Sequence, residues 1–188
     1  MATFFTPFNK IGYDMNKTGK TFRATNIMNR FQIKEIVRQI GYIYHDYDVK
    51  EGDRPDIVSY KAYGKVDLEW LIMLTNSIID PYFQWPLTYK QLQDYMVKKY
   101  GSVAIATQTI HHYERIIQEA ETLSDGTVIP RRTVIIDADA YALLDASDRI
   151  LVYNYDYEIA LNEKRARIKI LDPSYVPQIV KEIESIFG

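Results

Sequence analysis

Residues 42–85 constrain the fold of this chain more than any other stretch. Tyr42 to Val49 form an extended run rich in Tyr, Ile and Val, the composition of a strand. Gly52-Asp53 turns the chain. Asp53 is placed to cap the helix that follows, and Pro55 falls in its first turn, where a missing N–H costs little. Ile57, Val58, Tyr60 and Tyr63 supply the packed side, and Gly64 stops the helix. Asp67 is expected to cap a second helix carrying Leu68, Leu71, Ile72 and Leu74. Asn76 opens a loop, and Pro81 and Pro86 keep residues 80–87 irregular. The order is strand, tight turn, helix, helix, loop.

The flanks are less regular. Residues 1–30 have few periodic apolar positions, and Gly12, Asn16 and Gly19 suggest loop. Such a segment is expected to be mobile until a partner orders it. Ile33, Ile36, Val37 and Ile40 have helical spacing, with Gly41 as a stop. Thr88 caps an expected helix over 89–99, with Leu92, Tyr95 and Met96 inward. From about residue 103 the periodicity shifts toward strands. Ser124-Asp125-Gly126-Thr127 reads as a turn between extended runs at 109–120 and 128–137. Tyr153, Tyr155, Tyr157, Ile159 and Leu161 alternate with polar residues, predicting a half-buried strand, although a helix over 158–165 competes. Asn162-Glu163-Lys164 then turns the chain into a second strand through Ala166, Ile168 and Ile170. Val176, Ile179, Val180, Ile183, Ile186 and Phe187 lie on one stripe of a terminal helix. The expected class is mixed α+β. It comprises an N-terminal arm and short helix (1–41), a strand–helix–helix module (42–101), and a strand-rich region with a C-terminal hairpin and helix (102–188).

Composition removes several function classes. A net charge of −2 argues against a protein built to neutralise phosphates, so no nucleic-acid partner is expected. With no cysteine there is neither a disulfide framework nor a thiolate metal site. The opening residues lack the basic-then-apolar pattern of a secretory signal, and no run approaches the length of a membrane span. The 16 tyrosines suit sheet faces and protein interfaces equally.

Catalytic chemistry finds little support. Phosphate-loop, nucleophile-elbow and paired-histidine zinc motifs are missing from the sequence. His111 and His112, adjacent in an expected strand, should point to opposite faces and not chelate one metal. Asp137 and Asp139 read as solvated acids at a strand end, as do Asp145 and Asp148. The basic run at 162–169 is diluted by acids and lacks a stacking ladder. Trp70, within the second helix, is expected in the core. Trp85, in a proline-flanked loop with Tyr82 and Phe83, either anchors a partner or caps a small core.

Several ordered features carry a resemblance. They are Asn26-Ile27 with Arg30, Tyr47-x-Val49-Lys50-x-Gly52-x-Arg54-Pro55, Tyr63-Gly64, Trp70 with Leu71 and Leu74, Asn76, Asp80-Pro81-Tyr82-x-x-Trp85, and Asn162-Glu163-Lys164 followed by 165–171. Together the chain resembles the baseplate wedge proteins of contractile-tailed, T-even-type bacteriophages that carry a lysin-motif-like module. Residues 103–150 resemble little. The resemblance implies a lysin-motif-like βααβ module at 42–101 and a structural virion protein of the tail baseplate, assembled in the host cytoplasm. It implies no catalytic role, cofactor, metal or membrane. The implied partners are other wedge subunits and the sheath-initiating subunit, in multiple copies within a six-fold assembly. The expected contact residues are Phe4, Phe5, Phe8 and Tyr13 of the arm with Tyr82, Phe83 and Trp85 of the aromatic loop. The alternative is a lysin motif that binds peptidoglycan or another glycan.

Overall fold

A computed structural model describes residues 5, 8–29, 32–33, 37 and 40–187. Two short strands come first, β1 (Lys10–Tyr13) and β2 (Phe22–Thr25). A 3-10 turn at Gly41–Ile43 leads into β3 (Tyr44–Asp48). Helices α1 (Pro55–Tyr63), α2 (Glu69–Thr75) and the single turn α3 (Pro81–Gln84) follow. Next are α4 (Tyr89–Tyr100), α5 (Val103–Gln108) and β4 (Ile110–Gln118). Then come β5 (Glu121–Thr122), β6 (Val128–Ile129), β7 (Arg132–Ile136) and helix α6 (Ala138–Ala142). The chain closes with β8 (Arg149–Tyr153), α7 (Asn154–Ala166), β9 (Arg167–Leu171) and α8 (Val176–Phe187).

These elements form two compact units, one of Met1–Pro86 with Arg165–Gly188 and the other of Leu87–Lys164. In the first, β3 pairs antiparallel with β9, from Tyr44 opposite Leu171 to Asp48 opposite Arg167. Along β9, Ile168 and Ile170 are buried while Arg167 and Lys169 are exposed, the period of a strand with one covered face. That face packs with Val58, Ile72 and Trp85. A second cluster joins Ile43, Tyr44, Trp70, Leu71 and Leu171 to Val176 and Ile183 of the terminal helix. Trp70 is therefore core, as its helical position implied. The Asn76 side chain works like a length of strand: Nδ2 donates to the Lys169 carbonyl and Oδ1 accepts from the Lys169 amide, both at 2.8 Å.

The dividing line differs from the expected module at 42–101. The strand that completes β3–α1–α2 lies at 167–171, and everything from Leu87 to Lys164 is inserted between α3 and that strand. The helix expected after Thr88 is present, with a full capping box between Thr88 and Gln91, but belongs to the inserted unit.

Within the inserted unit, β4 lies between β7 and β8. The turn at 124–127 closes the β4–β7 excursion through the small β5–β6 pair, with Gly126 at φ +84°. Residues 153–161 were expected to be a strand turning into a hairpin, and instead form most of α7. The tyrosine alternation is overridden by a polar stripe at i, i+4 and i+8, which only a helix aligns. Asn154 donates to Thr109, Glu158 accepts from Lys99 and Tyr100, and Asn162 grips Leu87 through its amide. Leu87 N–H donates to Asn162 Oδ1 at 2.7 Å, and Asn162 Nδ2 donates to the Leu87 carbonyl at 2.9 Å. The competing helix over 158–165 was the correct reading, though too short, and the strand at 167–171 pairs with β3 rather than forming a C-terminal hairpin.

Other expectations shift locally. Residues 10–25 form the β1–β2 pair where loop was expected, its turn held by Asp14 accepting from the Thr18 and Gly19 amides. The helix proposed over 31–40 lies largely outside the described residues. Asp53 does not cap α1; it accepts from Tyr47 and Lys61, and Arg54 occupies the cap position. Asp67 starts no α-helix but sits in a 3-10 turn at Val66–Leu68. Residues 80–84 are regular after all, because Asp80 caps α3 by accepting from the Tyr82 amide. Among the described residues no helix is long and apolar enough to cross a membrane.

Candidate interaction surface

The first unit carries a groove of about 680 Å³ where α1, α2 and α3 begin. Its position follows from local chemistry. Pro55 and Pro81 start α1 and α3, since proline is suited to a first helical turn. Trp85 ends α3 and is only 7% exposed, with its indole N–H donating to the Asp53 carbonyl at 2.8 Å. That bond ties the end of α3 to the turn before α1. The turn is itself braced: Asp53 receives the Tyr47 hydroxyl and the Lys61 ammonium, and the Lys61 bond above all holds its carboxyl below the usual range.

Acidic groups rim the groove. Asp56, Asp67 and Glu69 line it, and Arg54 is the cation beside them. Arg54 is committed to Asp56 by two bonds, Nη2 to Oδ2 at 2.6 Å and Nε to Oδ1 at 3.1 Å. This pairing lowers the Asp56 carboxyl and raises the guanidinium. Val66, Met73 and Tyr82 supply apolar lining. Gln84 Oε1 accepts from the amides of Ile79 and Asp80, so α3 is fixed at both ends. From that rigid turn Tyr82 and Phe83 stand out, 86% and 70% exposed.

The seven residues expected to meet partners divide. Tyr82 and Phe83 are exposed, as are Phe5 and Tyr13. Phe8 is 3% exposed and packs its ring 5.4 Å from that of Phe5, so it supports rather than presents. Trp85 likewise belongs to the apolar cluster of β9, which corrects its reading as an open loop aromatic: its indole finds both a packing site and a carbonyl acceptor. Phe4 lies outside the described residues. Asp67, Glu69 and Met73 escaped the sequence reading as surface groups. Their only signal was a pair of acids at a helix start, which is also what a cap looks like.

The inserted unit holds a polar cluster. Glu158, 2% exposed, accepts from Lys99 Nζ at 2.6 Å and Tyr100 Oη at 2.8 Å. His111 stacks on Tyr157 with ring centroids 3.7 Å apart. The two histidines do not diverge as adjacent strand residues should: their Nδ1 atoms lie 2.6 Å apart. The cause is an irregularity in the β4–β8 register between Ile110 and His112, which turns both rings to one side. Burial, then the neighbouring His112, lowers the His111 pKa. Among the described residues no group of three or more potential ligands is placed to hold a metal ion. Asp137, read as a solvated acid, caps α6 by accepting from the Ala140 amide.

Comparison with known proteins bears on this surface. A family model described as base plate wedge protein 53 matches residues 1–124. The baseplate wedge protein gp53 of Enterobacteria phage T4 is 22% identical over 203 residues, covering all of this chain and 98% of that protein.

Proposed function

We propose, from the fact that this chain belongs to the base plate wedge protein 53 family, that it joins neighbouring wedge subunits through protein–protein contacts and performs no catalysis. As a member of that family it is a structural virion protein of the tail baseplate. The joining role is carried by one observation: two large aromatics, Tyr82 and Phe83, are held in water by a turn locked at both ends. A rigid exposed aromatic loses little conformational entropy on contact and buries much area, which suits an assembly anchor. Phe5 and Tyr13 offer a second aromatic patch at the N-terminal end. In this reading the partners are other wedge subunits and the sheath-initiating subunit, met repeatedly around a six-fold ring.

A second reading is favoured by topology. The order β3, α1, α2, β9, with the two strands antiparallel, is the strand–helix–helix–strand order of a lysin motif split by an insertion. A lysin-motif-like module here would offer a glycan site. The test is co-purification of the tagged chain with structural proteins from its own genome, followed by mass analysis. A stoichiometric complex with wedge subunits is the expected result. A monomer that ignores them and retains peptidoglycan fragments reverses the order of the two readings.

A further inference from the structure

We infer that the groove between the starts of α1, α2 and α3 is a docking site for a basic, apolar linear segment of a wedge partner. The inference rests on the joining role proposed above and names the chemistry of one contact.

The electrostatics favour a cation. Arg54 and Asp56 satisfy each other in a two-bond pair. Asp67 and Glu69 remain, and among the described residues neither has an ion-pair partner. Glu69 has a more specific need: its Oε2 is closed off from water and accepts no hydrogen bond among the described residues. Buried acceptors in folded proteins are nearly always paired, so this oxygen requires a donor brought by something else. A lysine ammonium or arginine guanidinium supplies both the donor and the opposite charge.

The remaining lining selects what accompanies the cation. Val66, Met73 and the Trp85 floor are apolar, so they favour a segment carrying an apolar side chain beside its basic one. Tyr82 stands at the rim, where its ring face is open to a cationic side chain. The volume suits a few side chains, not a folded domain. Unpaired carboxylates also disfavour the alternatives. A carboxylate-bearing peptidoglycan stem or a phosphate backbone would be repelled, and a neutral sugar would leave both charges uncompensated.

The experiment uses the full chain and immobilised peptides of about 15 residues tiled across the wedge proteins of the same phage, a length that covers any linear motif. Wild type is compared with an Asp67→Asn/Glu69→Gln double variant, with circular dichroism confirming that both fold. Bound peptides should contain Lys or Arg next to an apolar residue. The double variant should bind them about tenfold more weakly, and added salt should weaken wild type more than the variant. Equal binding by the variant, or binders that are acidic or purely apolar, overturns the groove assignment. So does capture of peptidoglycan fragments, or self-association, that the double substitution abolishes. Co-purification separates the two claims. Wild type that assembles with wedge subunits while no peptide binds in a charge-dependent way defeats the groove and leaves the joining role standing. Wild type that fails to assemble defeats the joining role itself.

Discussion

In the unit that contains β3 and β9, the most enclosed side chains are Val58, Leu71, Ile72 and Leu171, shared between two apolar clusters. In the inserted unit Met96 and Ala106 reach that depth, and a carboxylate, Glu158, sits almost as deep. One unit is held chiefly by apolar packing, which is tolerant in direction and steep in cost when atoms are removed. The other relies more on a hydrogen-bonded charge cluster, which is directional and fails when a partner is lost. A scaffold and an elaboration of it are built from different forces in one chain.

The largest expected effect strikes the apolar side of this comparison. Leu71→Ala should destabilise the first unit by roughly 2–5 kcal/mol, read by chemical denaturation of the full chain. Glu158→Ala tests the polar side. Lys99 is 42% exposed and regains water, so a loss of about 1–3 kcal/mol, mainly from the stranded Tyr100 hydroxyl, is expected in the transition of the inserted unit. The same pair has a pH signature. Its Lys99 pKa is raised, first by the Glu158 bond. A raised lysine stabilises the fold fully below its unfolded pKa near ~10.4, so the contribution should persist through neutral pH and fade only in strong alkali.

Gly64→Ala should cost about 1 kcal/mol, because the glycine closes α1 at φ +67° with open space around it, leaving backbone strain as the only penalty. In acid the first unit has its own marker. Asp172 is pulled down to about 2 by the Ser174 hydroxyl and then by His45. A depressed carboxylate stabilises above its unfolded pKa near ~3.9 and loses that contribution as pH falls toward the folded value. Asp172→Asn should therefore flatten the stability profile below about pH 4, measured by thermal melts. The smallest stability change belongs to Tyr82→Ala, within about 0.5 kcal/mol, while co-purification with wedge subunits should weaken visibly.

What could be read from the sequence was local. The Gly64 stop, the Thr88 cap, the turn at Gly126 and the apolar stripe of α8 are each decided within a few residues, and each is found in place. What could not be read was long-range. Nothing near Tyr44–Asp48 says that its partner lies at Arg167–Leu171, since the pairing is made across an inserted unit. Helix α7 was obscured for a related reason: the tyrosine alternation lies within the helix, whereas Lys99, Leu87 and Thr109, which hold its polar stripe, are far away in sequence. The groove was invisible because its walls come from three helix starts. Individually these carry ordinary proline and acidic signals.

The paired asparagines have a consequence for how this chain can be remodelled. Asn162 ties down Leu87 at the two ends of the inserted unit, and Asn76 ties down Lys169 on either side of the place where it enters. Each unit thus carries its own latch across the junction, made by a side chain that imitates backbone. The insert behaves as a cassette whose two ends are already brought together. Replacing it with a short flexible bridge leaves the Asn76 latch and the β3–β9 ladder their full set of partners, and exchange of that cassette is a route by which related chains can vary one unit without redesigning the other.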